Sequence, residues 1–150
     1  MIITIANTQW TCTVASTPAQ LMQGLSGTES LPEAQGMLFD LGADYPEIGI
    51  NMMEMLYPLD IVFINSNLTV VGVLHDVQPN DEAGFLASNT EGARYFLEVN
   101  AGEAASVVAG DLASFAGYEP GQTLDMAAMI QGLIVVAMLA AITGYVSREV

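Results

Sequence analysis

Short apolar runs separated by turn-forming residues fill the first 118 positions, and one uninterrupted apolar run fills most of the remainder. The short runs predict β-strands. Residues 2–6 and 10–15 read as two strands joined through Asn7, Thr8 and Gln9. In the second, Trp10, Cys12 and Val14 alternate with Thr11 and Thr13, the period of two that marks a strand with one buried face. Cys12 is therefore expected in the core. Thr17-Pro18 opens a short helix, with threonine as cap and proline at the first helical residue, where no N–H is required. Gly24 ends it. Residues 27–35 form a loop, 36–41 a strand and 42–47 an acidic loop.

The clearest hairpin pairs residues 59–65 with 68–76 about a turn at Ser66-Asn67. Both runs are rich in β-branched side chains, which pack well on a pleated surface. Residues 75–91 are polar and loop-like. Residues 94–100 predict another strand, 104–108 one or two helical turns, and 111–115 a closing strand. Many short strands with small connections predict a mainly β, α+β domain over residues 1–118, a small barrel or roll with one or two short helices.

A linker at 119–125 then leads to residues 126–146, which carry no charge. As a helix this stretch is about 31 Å long, close to the hydrocarbon thickness of a bilayer. Asp125 caps its start, Tyr145 suits an interface at its end, and residues 147–150 form a short tail. Ala128, Gly132, Val136, Ala140 and Gly144 recur every four residues. They make a stripe of mostly small side chains along which helices approach closely. Two environments fit best: a single-span tail anchor, or burial among copies of itself or other subunits of a shell. A core helix of a lone domain fits worst, because so small a β-domain hardly covers such a rod.

Charge removes several function classes. Seventeen acidic residues face two arginines, Arg94 and Arg148, with no lysine, for a net charge of −15. Such a surface repels phosphate and has no cations with which to displace counterions, so nucleic-acid and anionic-lipid recognition are not expected. A high-salt medium, neighbours that supply cations, or plain solubility would each account for the acidity. The N-terminal residues lack a basic region and a long apolar stretch, so no secretory signal is expected. Asn67-Leu68-Thr69 matches a glycosylation acceptor by chance in that setting.

Catalytic machinery is sparse. His75 is the only histidine and Cys12 the only cysteine, so neither a zinc set nor an internal disulfide can form. No nucleophile elbow or phosphate-cradling loop occurs. Carboxylates offer more. Asp60 and Glu98 each sit in an apolar strand, and if both point inward and face each other, one could have a raised pKa and act as an acid. The simpler expectation is that each accepts backbone N–H bonds and pins a loop. Calcium is conceivable at Asp40, Asp44 and Glu47, or at Asp76, Asp81 and Glu82, although neither set has calcium-loop spacing.

Gly24-Leu25, Gly36-Met37-Leu38-Phe39 and Pro58-Leu59-Asp60-Ile61-Val62-Phe63-Ile64, followed by residues 94–102 and Gly110-Asp111, resemble the bacterial and archaeal family called domain of unknown function 192. The resemblance spans residues 1–115 and excludes the tail. It implies a small β-rich, barrel-like fold and brings no established reaction. Family members show a Phe-Trp-Met-Lys-Asn-Thr run before the proline, which looks like a polar pocket wall. Here that stretch is Ile50-Asn51-Met52-Met53-Glu54-Met55, with Met53 in place of lysine. The arginine usual after the Gly-Leu-Met piece is also absent, Ser26-Gly27-Thr28 standing there instead.

Three roles are therefore expected, in order. The first is a non-enzymatic structural or assembly protein, an acidic β-domain displayed on a membrane or virion-like assembly and joined to its neighbours through residues 126–146. The second is a tail-anchored module that binds a small ligand in a remodelled pocket around Asn51, Glu54, Asp60 and Glu98. The third is an enzyme using Asp60 and Glu98. No cofactor is implied beyond the calcium option.

Overall fold

A computed structural model describes residues 1–87 and 91–120. The expected helix at 126–146, with its stripe of Ala128, Gly132, Val136, Ala140 and Gly144, lies outside the described residues. Among the described residues, no helix is long and apolar enough to cross a membrane.

The described chain folds as strands β1 (Ile2–Ile5), β2 (Thr8–Ala15), β3 (Gln35–Tyr45), β4 (Glu47–Asn51), β5 (Leu59–Ile64), β6 (Val70–Val77), β7 (Glu82–Leu86), β8 (Ala93–Asn100) and β9 (Ala113–Ala116), with one helix, α1 (Pro18–Gln23). Seven strands form one sheet in the order β6-β5-β8-β3-β2-β1-β9, and β4 and β7 form a separate two-stranded ribbon. The large sheet curls until its two edges touch. Thr69 bridges Leu112, and the Val70 N–H donates to the Asp111 carbonyl at 2.9 Å. The result is a half-barrel joined at one point, and the mainly β class expected from the sequence holds.

Most neighbours are antiparallel, but β2 and β3 run parallel. A parallel pair requires a crossover, and residues 16–34 provide it. Its helix starts as the sequence predicts. The Gln20 N–H donates to Thr17 Oγ1, and the Gln20 side chain accepts from the Thr17 N–H, a reciprocal capping pair that satisfies two otherwise orphaned donors.

Two apolar clusters sit on opposite faces of the sheet. The inner one fills the curl with Ile3, Trp10, Cys12, Leu38, Val62 and Leu97. The outer one joins Phe39, Ile61, Phe63 and Phe96 to the ribbon residues Ile48, Ile50 and Phe85. Strand β5 is buried along its whole length, because its even and odd residues meet different cores. Phe39 stacks on Phe96 with centroids 4.2 Å apart, and Phe63 on Phe85 at 4.9 Å. The first lies within the sheet, and the second fastens the ribbon to it.

Several expectations change. The first turn comprises Ala6 and Asn7, not Asn7 to Gln9, and Ala6 takes a positive φ of 51°. The acidic stretch 42–47 is largely strand, since β3 continues to Tyr45 through a register shift. Residues 82–86 form β7 inside a stretch expected to be polar loop. Residues 104–108 are turns rather than helix. The Ala105 N–H bonds to the Gly102 carbonyl and Val107 to that of Ala104, while the Asp60 carboxylate takes the N–H groups of Gly102 and Ala104.

Candidate functional site

The described residues do not completely cover the outer face of β3 and β8. Between it, helix α1, the turn that follows α1, and β4 with the loop at 51–55, a cavity of about 440 Å³ remains. Its floor is the Phe39–Phe96 stack, and its walls include Leu21, Leu25, Ile48, Ile50 and Met55. Met22 and Met53 stand exposed at the mouth, at 47% and 66%. The rim is tied down. The Gly27 N–H donates to the Glu54 carbonyl at 3.3 Å, and Thr28 Oγ1 lies 2.6 Å from the Tyr57 hydroxyl while donating to the Leu25 carbonyl at 2.7 Å.

Glu98 is the one carboxylate set deep in this apolar floor. On β8 it stands opposite Met37 of β3 on one side and Ile61 of β5 on the other, so its lateral neighbours are greasy. Its residue is 7% exposed. The described residues form no side-chain hydrogen bond to its carboxyl, whose oxygens are not sealed off but open on the cavity. Burial without a compensating donor disfavours the charged form, and it pushes the Glu98 carboxyl up to about 8. At neutral pH this side chain is mostly a neutral acid, with an O–H to donate and a carbonyl oxygen to accept.

Three of the four residues expected in the pocket meet here: Asn51, Glu54 and Glu98. Asn51 also shapes the loop, its Oδ1 accepting from the Met53 N–H at 2.9 Å. Asp60 does not join them. Asp60 pairs with Val99 while Ile61 pairs with Glu98, and adjacent strand residues point to opposite faces. Asp60 therefore faces the inner side, fully buried. Its Oδ1 accepts from the Asp76 N–H at 2.9 Å, and its Oδ2 from Gly102 and Ala104 at 2.9 and 3.0 Å. His75 Nδ1 lies 3.7 Å from the same oxygen, with its side chain half exposed. Asp60 pins two loops, as the simpler reading expected, and it does not face Glu98.

Neither acidic stretch gathers into a metal site. Asp40 is engaged by Arg94, whose Nε and Nη2 donate to its two oxygens at 2.9 and 3.1 Å, and by the Tyr118 hydroxyl at 2.6 Å. Burial opposes ionisation of Asp40, but these donors and the Gly42 N–H outweigh it and hold the carboxyl below its ordinary range. Asp44 accepts from the Ser66 N–H, whereas Glu47 lines the cavity. Asp76 and Asp81 accept from Gln78. Among the described residues, no three His, Cys, Asp or Glu side chains converge to hold an ion.

A family model described as uncharacterised ACR, domain of unknown function 192, matches residues 1–115. The chain belongs to that family. The match to the domain of unknown function 192 family covers both apolar cores and every residue assigned to the cavity above. No curated protein matches the chain. Among solved structures, a protein of unknown function from Novosphingobium aromaticivorans DSM 12444 is 24% identical with a TM-score of 0.68, over 76% of this chain and 84% of that one. A proposed transcription regulator from Sinorhizobium meliloti 1021 is 29% identical with a TM-score of 0.67, over 75% and 91% of the two chains. Both likenesses concern the fold. Within that fold, Met53 lies at the mouth of the cavity in the position where the family resemblance places lysine, and among the described residues no Lys or Arg lines the cavity.

Sequence reasoning found Glu98 but missed the cavity's floor and roof. Ile48 and Ile50 alternate with Glu47, Gly49 and Asn51, the period of a half-buried strand, and that signal was available.

Proposed function

We propose that this domain is a non-enzymatic binding module that holds a small, largely apolar ligand in the cavity between α1, β4 and the outer face of β3 and β8. One observation carries the reading. Glu98 is buried, has no hydrogen-bond partner among the described residues, and borders a cavity large enough for a small organic molecule. A carboxyl held against an apolar floor loses much of its hydration, which costs stability, and the side of Glu98 that stays open faces the cavity. A ligand that supplies the missing partner gives that cost a purpose. Cavities of this size, apolar with a few convergent polar groups, are the usual form of small-molecule sites.

The assembly role expected from residues 126–146 concerns residues outside those described, and no feature of the described domain favours it over ligand binding. The two are compatible, since a tail that fixes the domain in place leaves the cavity free.

Screening small apolar compounds against the full chain by thermal shift tests the reading. Binders are expected to raise the melting temperature, and Leu21→Trp, which fills the cavity from the partly exposed helix, is expected to abolish the rise. Absence of any binder, or binding indifferent to Leu21→Trp, overturns it.

A further inference from the structure

We infer that the ligand is an apolar amine whose ammonium group pairs with Glu98 inside the cavity, an inference that rests on the binding role proposed above. Among the described residues, the titratable groups around the cavity are all acids: Tyr45 at the end of β3, Glu47 on β4, Glu54 in the following loop and Glu98 on β8. Helix α1 contributes none. Of the chain's two arginines, Arg94 is bonded to Asp40 and does not border the cavity, and Arg148 lies outside the described residues. A carboxylate or phosphate ligand would meet three carboxyl groups and no cation, and is disfavoured at each. A neutral alcohol or amide could hydrogen-bond to Glu98 but would gain nothing from Glu47 and Glu54. An ammonium gains from all three. The stacked Phe39 and Phe96 rings and the methionine thioethers at the mouth suit the apolar body of such a molecule, and aromatic faces also attract cations.

Pairing carries a proton cost that can be measured. Before ligand binds, Glu98 holds its proton, so an ammonium ligand binds as the carboxyl releases one proton to solvent, and a carboxylate–ammonium pair is left behind. With the carboxyl at about 8, apparent affinity for a permanently protonated amine is expected to rise roughly 50-fold from pH 6 to pH 8. Affinity for an uncharged analogue should not change over that range.

Calorimetric titration of the full chain with benzylamine and with benzyl alcohol, a neutral molecule of nearly the same shape, tests this. Expected is at least a tenfold preference for the amine at pH 8, the pH dependence above, and close to one proton released per amine at pH 6, read from buffers of different ionisation enthalpy. Glu98→Gln is expected to lose the preference while still binding the alcohol, which also reports that the variant is folded. Equal binding of the two compounds, or an amine preference that survives Glu98→Gln, overturns the amine assignment and leaves the cavity role standing. Binding of neither overturns both. Proton release in the unaltered protein needs no variant, and its absence alone refutes pairing with a protonated Glu98.

Discussion

Replacing Glu98 by glutamine isolates the cost of burying this acid. In the folded protein the carboxyl holds its proton up to about pH 8, whereas in the unfolded chain it releases it near the ordinary value of 4.5. The folded state thus binds the proton more tightly. Stability from this group is complete below pH 4.5 and is lost as pH rises through about 8. Each unit between those limits is worth about 1.4 kcal/mol, so the loss is about 3 kcal/mol by pH 7 and up to about 5 kcal/mol above pH 8. Glutamine has nearly the same shape and no titration, so the variant should lack this slope. The other acidic residues repel one another equally in both proteins and cancel in the difference. Urea unfolding of the full chain, followed by fluorescence of Trp10, the single tryptophan and only 1% exposed, reads it directly. At a slope near 1.5 kcal/mol per molar urea, the midpoint of Glu98→Gln relative to the parent should climb by about 2 M between pH 4.5 and pH 7. Parallel midpoints across that range would refute the burial of an unpartnered carboxyl.

Asp40→Ala leaves the Arg94 guanidinium without its two acceptors and releases Tyr118, and is expected to cost about 3 kcal/mol in the same unfolding assay; a loss below 1 kcal/mol would show that the pair is effectively solvated. Burial pushes the Cys12 thiol up to about 12, so iodoacetamide at pH 8 should leave the native protein unmodified over hours and label it within minutes in urea, as mass spectrometry would show. Ala6 holds a positive φ of 51° in the β1–β2 turn, a conformation that glycine adopts without a Cβ clash. Ala6→Gly is expected to raise stability by about 0.5 to 1 kcal/mol, and destabilisation would contradict the turn geometry.

The local parts of this fold were readable from sequence. The β5–β6 hairpin combines two β-branched runs with a short turn, and the capped helix α1 announces itself through Thr17, Pro18 and Gly24. Strands β4 and β7 were not read, because each is only five residues long and their pairing joins residues 31 to 39 apart, Asn51 with Glu82 to Glu47 with Leu86. Residues 104–108 favour a helix by composition, yet Asp60 captures two of their neighbourhood's N–H groups, and that competition is invisible along the chain. The candidate carboxylates show the same limit. Either strand alone allows Asp60 and Glu98 to face each other; the register that sets Asp60 against Val99 separates them, and register is a property of the pair. The cavity is further still from the sequence, since it is space left over after the ribbon and the helix have both docked.

That leftover space has a topological origin. Two neighbouring strands, β2 and β3, point the same way, so the chain has to travel back across the outside of the sheet between them. It does so with a helix of six residues and loops, too little material to blanket the surface it crosses. Lengthening or shortening that return path would resize the chamber while the curled sheet beneath kept its own packing, so the volume of the chamber and the frame that bears it can vary independently.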